Sequence, residues 1–214
     1  GCAPSTARSS EALQEEVREE VQSTQSLPSG QAAPSPQSPV EIDEVVLAVA
    51  PDRVATTPTA EEVAQRFAGL TPSAWGLEIP GVLTEMDSDG VALTLDACGG
   101  PSGDGYDAVL INGLIERNVP ATLFLNRRWI DSNPELAAEL ANNPLFEIAN
   151  HGTAHRPLSV NGQPAYGIAG TSSPLDAAHE VLDNHLRILE LTGTAPRFFR
   201  SGTAHYDDVG VQIA

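Results

Sequence analysis

Apolar and polar positions fall into a regular pattern only from about residue 59 onward. Thr59 and Glu62 form a capping-box pair ahead of Val63, Phe67 and Leu70, which predicts a short helix over 59–70. The segment from Trp75 to Met86 leads to Asp87-Ser-Asp-Gly90, a turn cluster that sets the start of the next element. Val91–Asp96 then reads as a strand and Tyr106–Arg117 as a helix. Pro120–Leu125 is a second strand, and a helix is expected to start near Pro134 with Ser132 and Glu135 as its capping pair. Leu145–Asn150 is a third strand. Pro174–Leu191 reads as a long helix with Leu175, Ala178, Leu182, Leu186 and Leu189 on one face and Gly193 as its stop. Arg197–Arg200 is expected as a fourth strand, and another helix opens at Asp207. Strand and helix in strict alternation predict a parallel α/β sheet, whose carboxyl-end rim is where such folds build sites.

The first 50 or so residues break this pattern. Ser26–Pro39 is too poor in apolar side chains to offset the entropy of ordering it, and its prolines make it an extended spacer. Glu11–Gln22 has helical spacing, but one short isolated helix is marginal in water. The chain starts Gly1-Cys2, a junction similar to the processing site of a bacterial lipoprotein; a lipid on Cys2 would place the protein outside the cytoplasm, anchored at the envelope. The other reading is an arbitrary boundary. The organisation expected is a tether over 1–58, a lead-in helix and extended segment over 59–88, and an α/β unit over 89–214.

Charge narrows the list of partners. The formal net charge is −18 and all 11 cations are Arg, so a phosphate backbone would be repelled and nucleic acid is not expected as a partner. No apolar run reaches the roughly 18 residues of a membrane span. Cys2 and Cys98 lie in unlike contexts and imply no disulfide framework. Cys98 is either a small buried residue or a metal-facing thiol.

Candidate chemistry gathers at the predicted strand ends. His151 and His155, with Gly152 between them to let the chain turn, can present two imidazoles to one ion. On the other reading, one caps a turn and the other faces solvent. Asp96 can act as a general base, and Arg200 can hold that carboxylate ionised, or each is an ordinary turn residue and ion-pair partner. His205 is a further candidate, whereas Asp207 and Asp208 read better as helix caps.

Taken in order, Val91–Asp96, Val119–Leu125, Asn150–His155 and Arg197–Arg200 resemble the motifs of the NodB-like polysaccharide deacetylase family, over about residues 75–214. The resemblance implies a distorted (β/α) barrel, here partial and cut off after about four parallel strands. It implies removal of N- or O-acetyl groups from a polysaccharide or peptidoglycan-like polymer, using a divalent metal: zinc first, cobalt or manganese as alternatives. It makes Asp96 the base, His151 and His155 the metal ligands, Arg200 the partner of Asp96, and Thr203 the residue whose backbone N–H meets the oxyanion.

Two departures from the family pattern stand out. The second Asp that commonly follows the base and ligates the metal is replaced by Ala97. Asp96 itself, an oxygen from the Pro101–Asp107 loop, or water would then complete the ligand set. The family's later strands and its general-acid His also have no counterpart before Ala214, so a truncated barrel is expected. The competing function is a non-catalytic carbohydrate-binding relative, or an inactive fragment of the same fold.

Overall fold

The computed structural model describes residues 57–214. The tether, the Glu11–Gln22 helix and the Cys2 anchor expected above lie outside the described residues. Thr59 caps helix α1 (Ala60–Arg66) with both arms of the capping box formed, and the helix ends four residues earlier than its apolar spacing predicts.

Strands β2 (Thr94–Ala97), β3 (Ala121–Leu125) and β4 (Phe146–Asn150) form a parallel sheet in the order β2-β3-β4, the mixed α/β class expected. A short antiparallel pair, β1 (Trp75–Gly76) with β5 (Tyr206–Asp207), was not foreseen; it ties the lead-in segment to the far end of the chain. Helices α2 (Ala108–Glu116), α3 (Arg127–Ser132), α4 (Pro134–Asn142), α5 (Pro174–Thr192) and α6 (Asp208–Ile213) fill the connections. Among the described residues no helix is long and apolar enough to cross a membrane.

Four expectations need correction. Val91 is 94% exposed and pairing starts only at Leu93, whose carbonyl accepts from the Thr122 N–H at 3.0 Å. Pro120, just before β3, has no N–H to donate, so the residues ahead of Leu93 have no ladder to join. Arg197–Arg200 is not a fourth ladder strand. Phe199 makes a single parallel bridge to Asn150, because β4 ends there and offers only its last residue. The parallel sheet among the described residues therefore has three strands and is open.

Ser132 does not cap a helix. It closes α3, which Asn126 caps through the Arg128 N–H at 3.1 Å, and Asn133 stands at the head of α4 without a side-chain cap. The fourth correction concerns α5. Its buried positions are Ala177, Ala178, Glu180, Val181, Asn184 and Ile188, while Leu175 and Leu186 are 40% and 49% exposed. Ala178 is buried as expected and Leu182 packs in the cluster with α1, but two of the other buried positions are polar, so the buried stripe is shifted from the apolar one. The stop at Gly193 is as expected, with φ 71° and its N–H on Leu189.

Alternation along the strands sorts the side chains into two layers. Leu95, Ala97, Leu123, Leu125, Phe146 and Ile148 meet the helices in one apolar cluster with Trp129, Ile130 and Leu140. The α2 flank of that cluster is under-filled. A cavity of about 770 Å³ lies between α2 and the sheet, and Val109 is 86% exposed. A second cluster joins Leu158, Val181, Tyr206 and Val209, with Phe199 packed against it.

Candidate metal centre

The opposite layer of the sheet carries the polar groups. Thr94 and Asp96 share one face of β2 by the two-residue period, and Phe124 of β3 is paired beside Asp96. Arg200 lies over this face: Nη1 donates to Asp96 Oδ1 at 2.6 Å and Nη2 to Thr94 Oγ1 at 3.2 Å. Its guanidinium stacks 4.0 Å from the Phe124 ring centroid. The Arg200 backbone is held by the β4 end, its N–H on the Asn150 carbonyl at 2.8 Å.

His151 follows β4 directly and is 1% exposed. Its Nδ1 lies 3.0 Å from the Arg200 carbonyl, an acceptor, so the ring carries its proton there and Nε2 keeps a lone pair. That Nε2 stands 4.0 Å from Asp96 Oδ2 and 3.8 Å from Cys98 Sγ. His155 meets His151 edge to face, with ring centroids 4.9 Å apart, and its buried Nε2 has no hydrogen-bond partner. One donor atom from each of Cys98, His151 and His155 lies within 4.8 Å of the others.

Burial, above all, pushes the His151 pKa down, against the pull of Asp96. His155 is lowered to about 4, first by burial and then by the charges of His151 and Arg128. Both rings are neutral at neutral pH, so the His151–Asp96 approach is not an ion pair there, and both lone pairs are free to ligate. Burial and the Asp96 charge raise the Cys98 thiol pKa, and Arg128 opposes them. Two neutral imidazoles, one an orphaned buried nitrogen, fit a divalent ion.

The loop carrying these rings is clamped by residues that motif reasoning missed. Asn126 Nδ2 donates to the carbonyls of His151 and Gly152 at 2.9 and 2.8 Å. Asn184 on α5 reaches Asn150 Oδ1 at 2.8 Å, and that oxygen accepts the Gly152 N–H at 2.9 Å. Glu180, 3% exposed, accepts the N–H groups of Ala154 and Arg156 at 3.0 and 3.1 Å. Burial raises its pKa, and these donors oppose the shift. Gly152, at φ 78°, has no room for a side chain: a Cβ there would sit 2.5 Å from Glu180 Oε1. The sequence offers little signal for this clamp, because Glu180 and Asn184 sit among Asp176, His179, Asp183, His185, Arg187 and Glu190 on the same helix.

The other predicted residues divide. Thr203 lies in the turn after Ser201, next to Gly202, which abuts the His155 backbone. His205 turns its Nδ1 to the Thr203 carbonyl at 2.8 Å and packs between Trp75 and Tyr166, outside the imidazole pair. Asp207 caps α6, as expected, and Asp208 accepts from Ser73 and Ala74. The Pro101–Asp107 loop spends its carboxylates locally, Asp104 on the Gly100 N–H and Asp107 on the Leu110 N–H.

A parallel α/β sheet with an acid, two neutral imidazoles and a guanidinium at one rim is a frame suited to metal-assisted hydrolysis. Over residues 84–214 the chain matches the polysaccharide deacetylase family, and it belongs to that family. No curated protein matches the chain. Among solved structures it is similar to a family 4 carbohydrate esterase pseudoenzyme from Bacillus anthracis, 24% identical over 57% of this chain and 38% of the other, with TM-score 0.46. A family 4 carbohydrate esterase from Bacillus anthracis is 20% identical over 57% and 52%, with TM-score 0.46. A family 4 acetyl xylan esterase from Clostridium thermocellum, in complex with cobalt, is 27% identical over 51% and 46%, with TM-score 0.38. The chain spans between 38% and 52% of the length of these proteins.

Proposed function

We propose that this chain belongs to a metal-dependent hydrolase that removes acetyl groups from an acetylated polysaccharide or peptidoglycan-like polymer. The observation that carries the reading is the meeting of Asp96, Arg200, His151 and His155 at one rim. In it, His151 and His155 hold a divalent ion, zinc foremost and cobalt or manganese as alternatives. Such an ion supplies Lewis acidity and lowers the pKa of water.

The rest follows from the side chains. Arg200 occupies Asp96 Oδ1 at 2.6 Å and orients the carboxylate, which leaves Oδ2 to accept a proton from the attacking water. The Arg200 carbonyl fixes the His151 tautomer, so a single residue orients both the base and a ligand. The Thr203 backbone N–H is the proposed donor to the oxyanion that forms on the acetyl carbonyl.

The test is acetate release from acetylated glycans, with metal content measured alongside. His151→Ala is expected to abolish both, and undiminished release would refute the assignment. One observation favours a second reading, a glycan-binding relative without turnover. Ala97, where the family pattern carries a ligating Asp, packs against the apolar cluster instead. Stoichiometric metal and glycan binding with no acetate release from N- or O-acetylated polymers would select that reading.

A further inference from the structure

We propose that Cys98 is the third protein ligand at this centre, giving a site of two imidazoles and one thiolate. The inference rests on the reading that His151 and His155 hold a cation, and it names what completes their donor set.

Strand geometry makes the first argument. Leu95 and Ala97 face the helix-side cluster, so the two-residue period returns Cys98 to the Asp96 side. The backbone then holds it there. Arg128 Nη2 donates to the Cys98 carbonyl at 3.2 Å, and the following turn closes through Gly99 N–H to the Gly103 carbonyl at 3.1 Å. Gly99 lies so close to α3 that a Cβ would stand 2.6 Å from the Trp129 nitrogen.

Distances make the second. Zn–S and Zn–N bonds of about 2.3 and 2.1 Å at a tetrahedral angle separate the donor atoms by about 3.5 Å. Cys98 Sγ lies 3.8 Å from His151 Nε2, and all three donor atoms fall within 4.8 Å. The lone pair of His151 is directed by the Nδ1 contact to the Arg200 carbonyl, and His155 Nε2 is buried without a partner. Of the competing oxygens, Asp96 Oδ1 is held by Arg200, Asp104 by the Gly100 N–H and Asp107 by its helix, while Asp96 Oδ2 stands 4.0 Å from His151 Nε2 and falls outside the Cys98, His151 and His155 group.

The chemical consequence is selectivity. A thiolate is a soft donor, so this centre should prefer zinc or cobalt to manganese or magnesium more strongly than an all-oxygen-and-imidazole site would. Three protein ligands leave a position open for water or substrate.

The experiment loads cobalt(II) into the chain in a Cys2→Ser background, where Cys98 is the remaining thiol. Expected are visible d–d bands together with a near-ultraviolet thiolate-to-cobalt charge-transfer band. Cys98→Ser should lose the charge-transfer band and weaken zinc binding by more than the roughly 10–100-fold typical of an outer-shell change. Cys98→Asp should also lose the band but keep tight binding, with the preference moved toward manganese. Asp96→Asn should retain the band. Cobalt bound without a charge-transfer band, with zinc affinity unchanged in Cys98→Ser, would overturn the thiolate ligand and leave the two-histidine reading standing. No cobalt or zinc bound at all would overturn both.

Discussion

The two sides of the site are built differently. The imidazole side rests on β4 and α5: His151, Asn126, Asn150, Asn184 and Glu180 are all at most 3% exposed, with Asn126 bonded to the His151 carbonyl, Asn184 to the Asn150 side chain, and Glu180 to the Ala154 and Arg156 N–H groups. The acid side rests on β2, a short edge strand whose Asp96 side chain is 36% exposed and whose flank borders an under-filled cavity. Arg200 is the strap between them, bonding Asp96 with its side chain and His151 with its carbonyl. Buried, hydrogen-bonded polar groups hold a ligand pair in one geometry, because a departure strands a donor in the interior. An exposed carboxylate on an edge strand has no such constraint, which suits a group that must exchange protons with water.

That contrast can be broken most severely at Glu180. Glu180→Leu leaves the Ala154 and Arg156 N–H groups without their acceptor, and a loss of about 3 kcal/mol is expected at roughly 1–3 kcal/mol per stranded donor. Chemical denaturation checks this, and zinc affinity should fall in step. Gly152→Ala meets the same carboxylate and a left-handed backbone, for an expected cost of about 2 kcal/mol. If Gly152→Ala unfolds at the same denaturant concentration as the parent, the Glu180 clamp does not constrain this loop.

Arg200→Gln should separate the two sides. Its ion pair is partly exposed and contributes under about 1 kcal/mol, so stability should hardly change while acetate release drops by about tenfold or more. A parallel fall in stability would make Arg200 a structural strap first.

A separate effect is set by pH. The folded His155 pKa of about 4 lies below its ordinary value of 6.5, so the unfolded chain binds the extra proton in that window. Stability of the metal-free protein should therefore decline as pH falls from about 6.5 toward 4 and level off below. His155→Gln should flatten that slope, and a slope that survives it points to another group.

What the chain determined by local pattern is substantial. The capping box at Thr59 and Glu62, strands β3 and β4, the span of α5 with its stop at Gly193, and the close spacing of His151 and His155 all depend on neighbours a few residues apart. Their physics is short-range: capping bonds, alternation, and glycine's access to the left-handed region. Tertiary structure decided the rest. Which stripe of α5 is buried depended on Glu180 and Asn184 finding acceptors and donors on another loop. Arg200 meets Asp96 across 104 positions and Cys98 meets His151 across 53. Such pairs are set by the register of parallel strands and by the face each residue takes, and neither quantity is carried by any one stretch of chain.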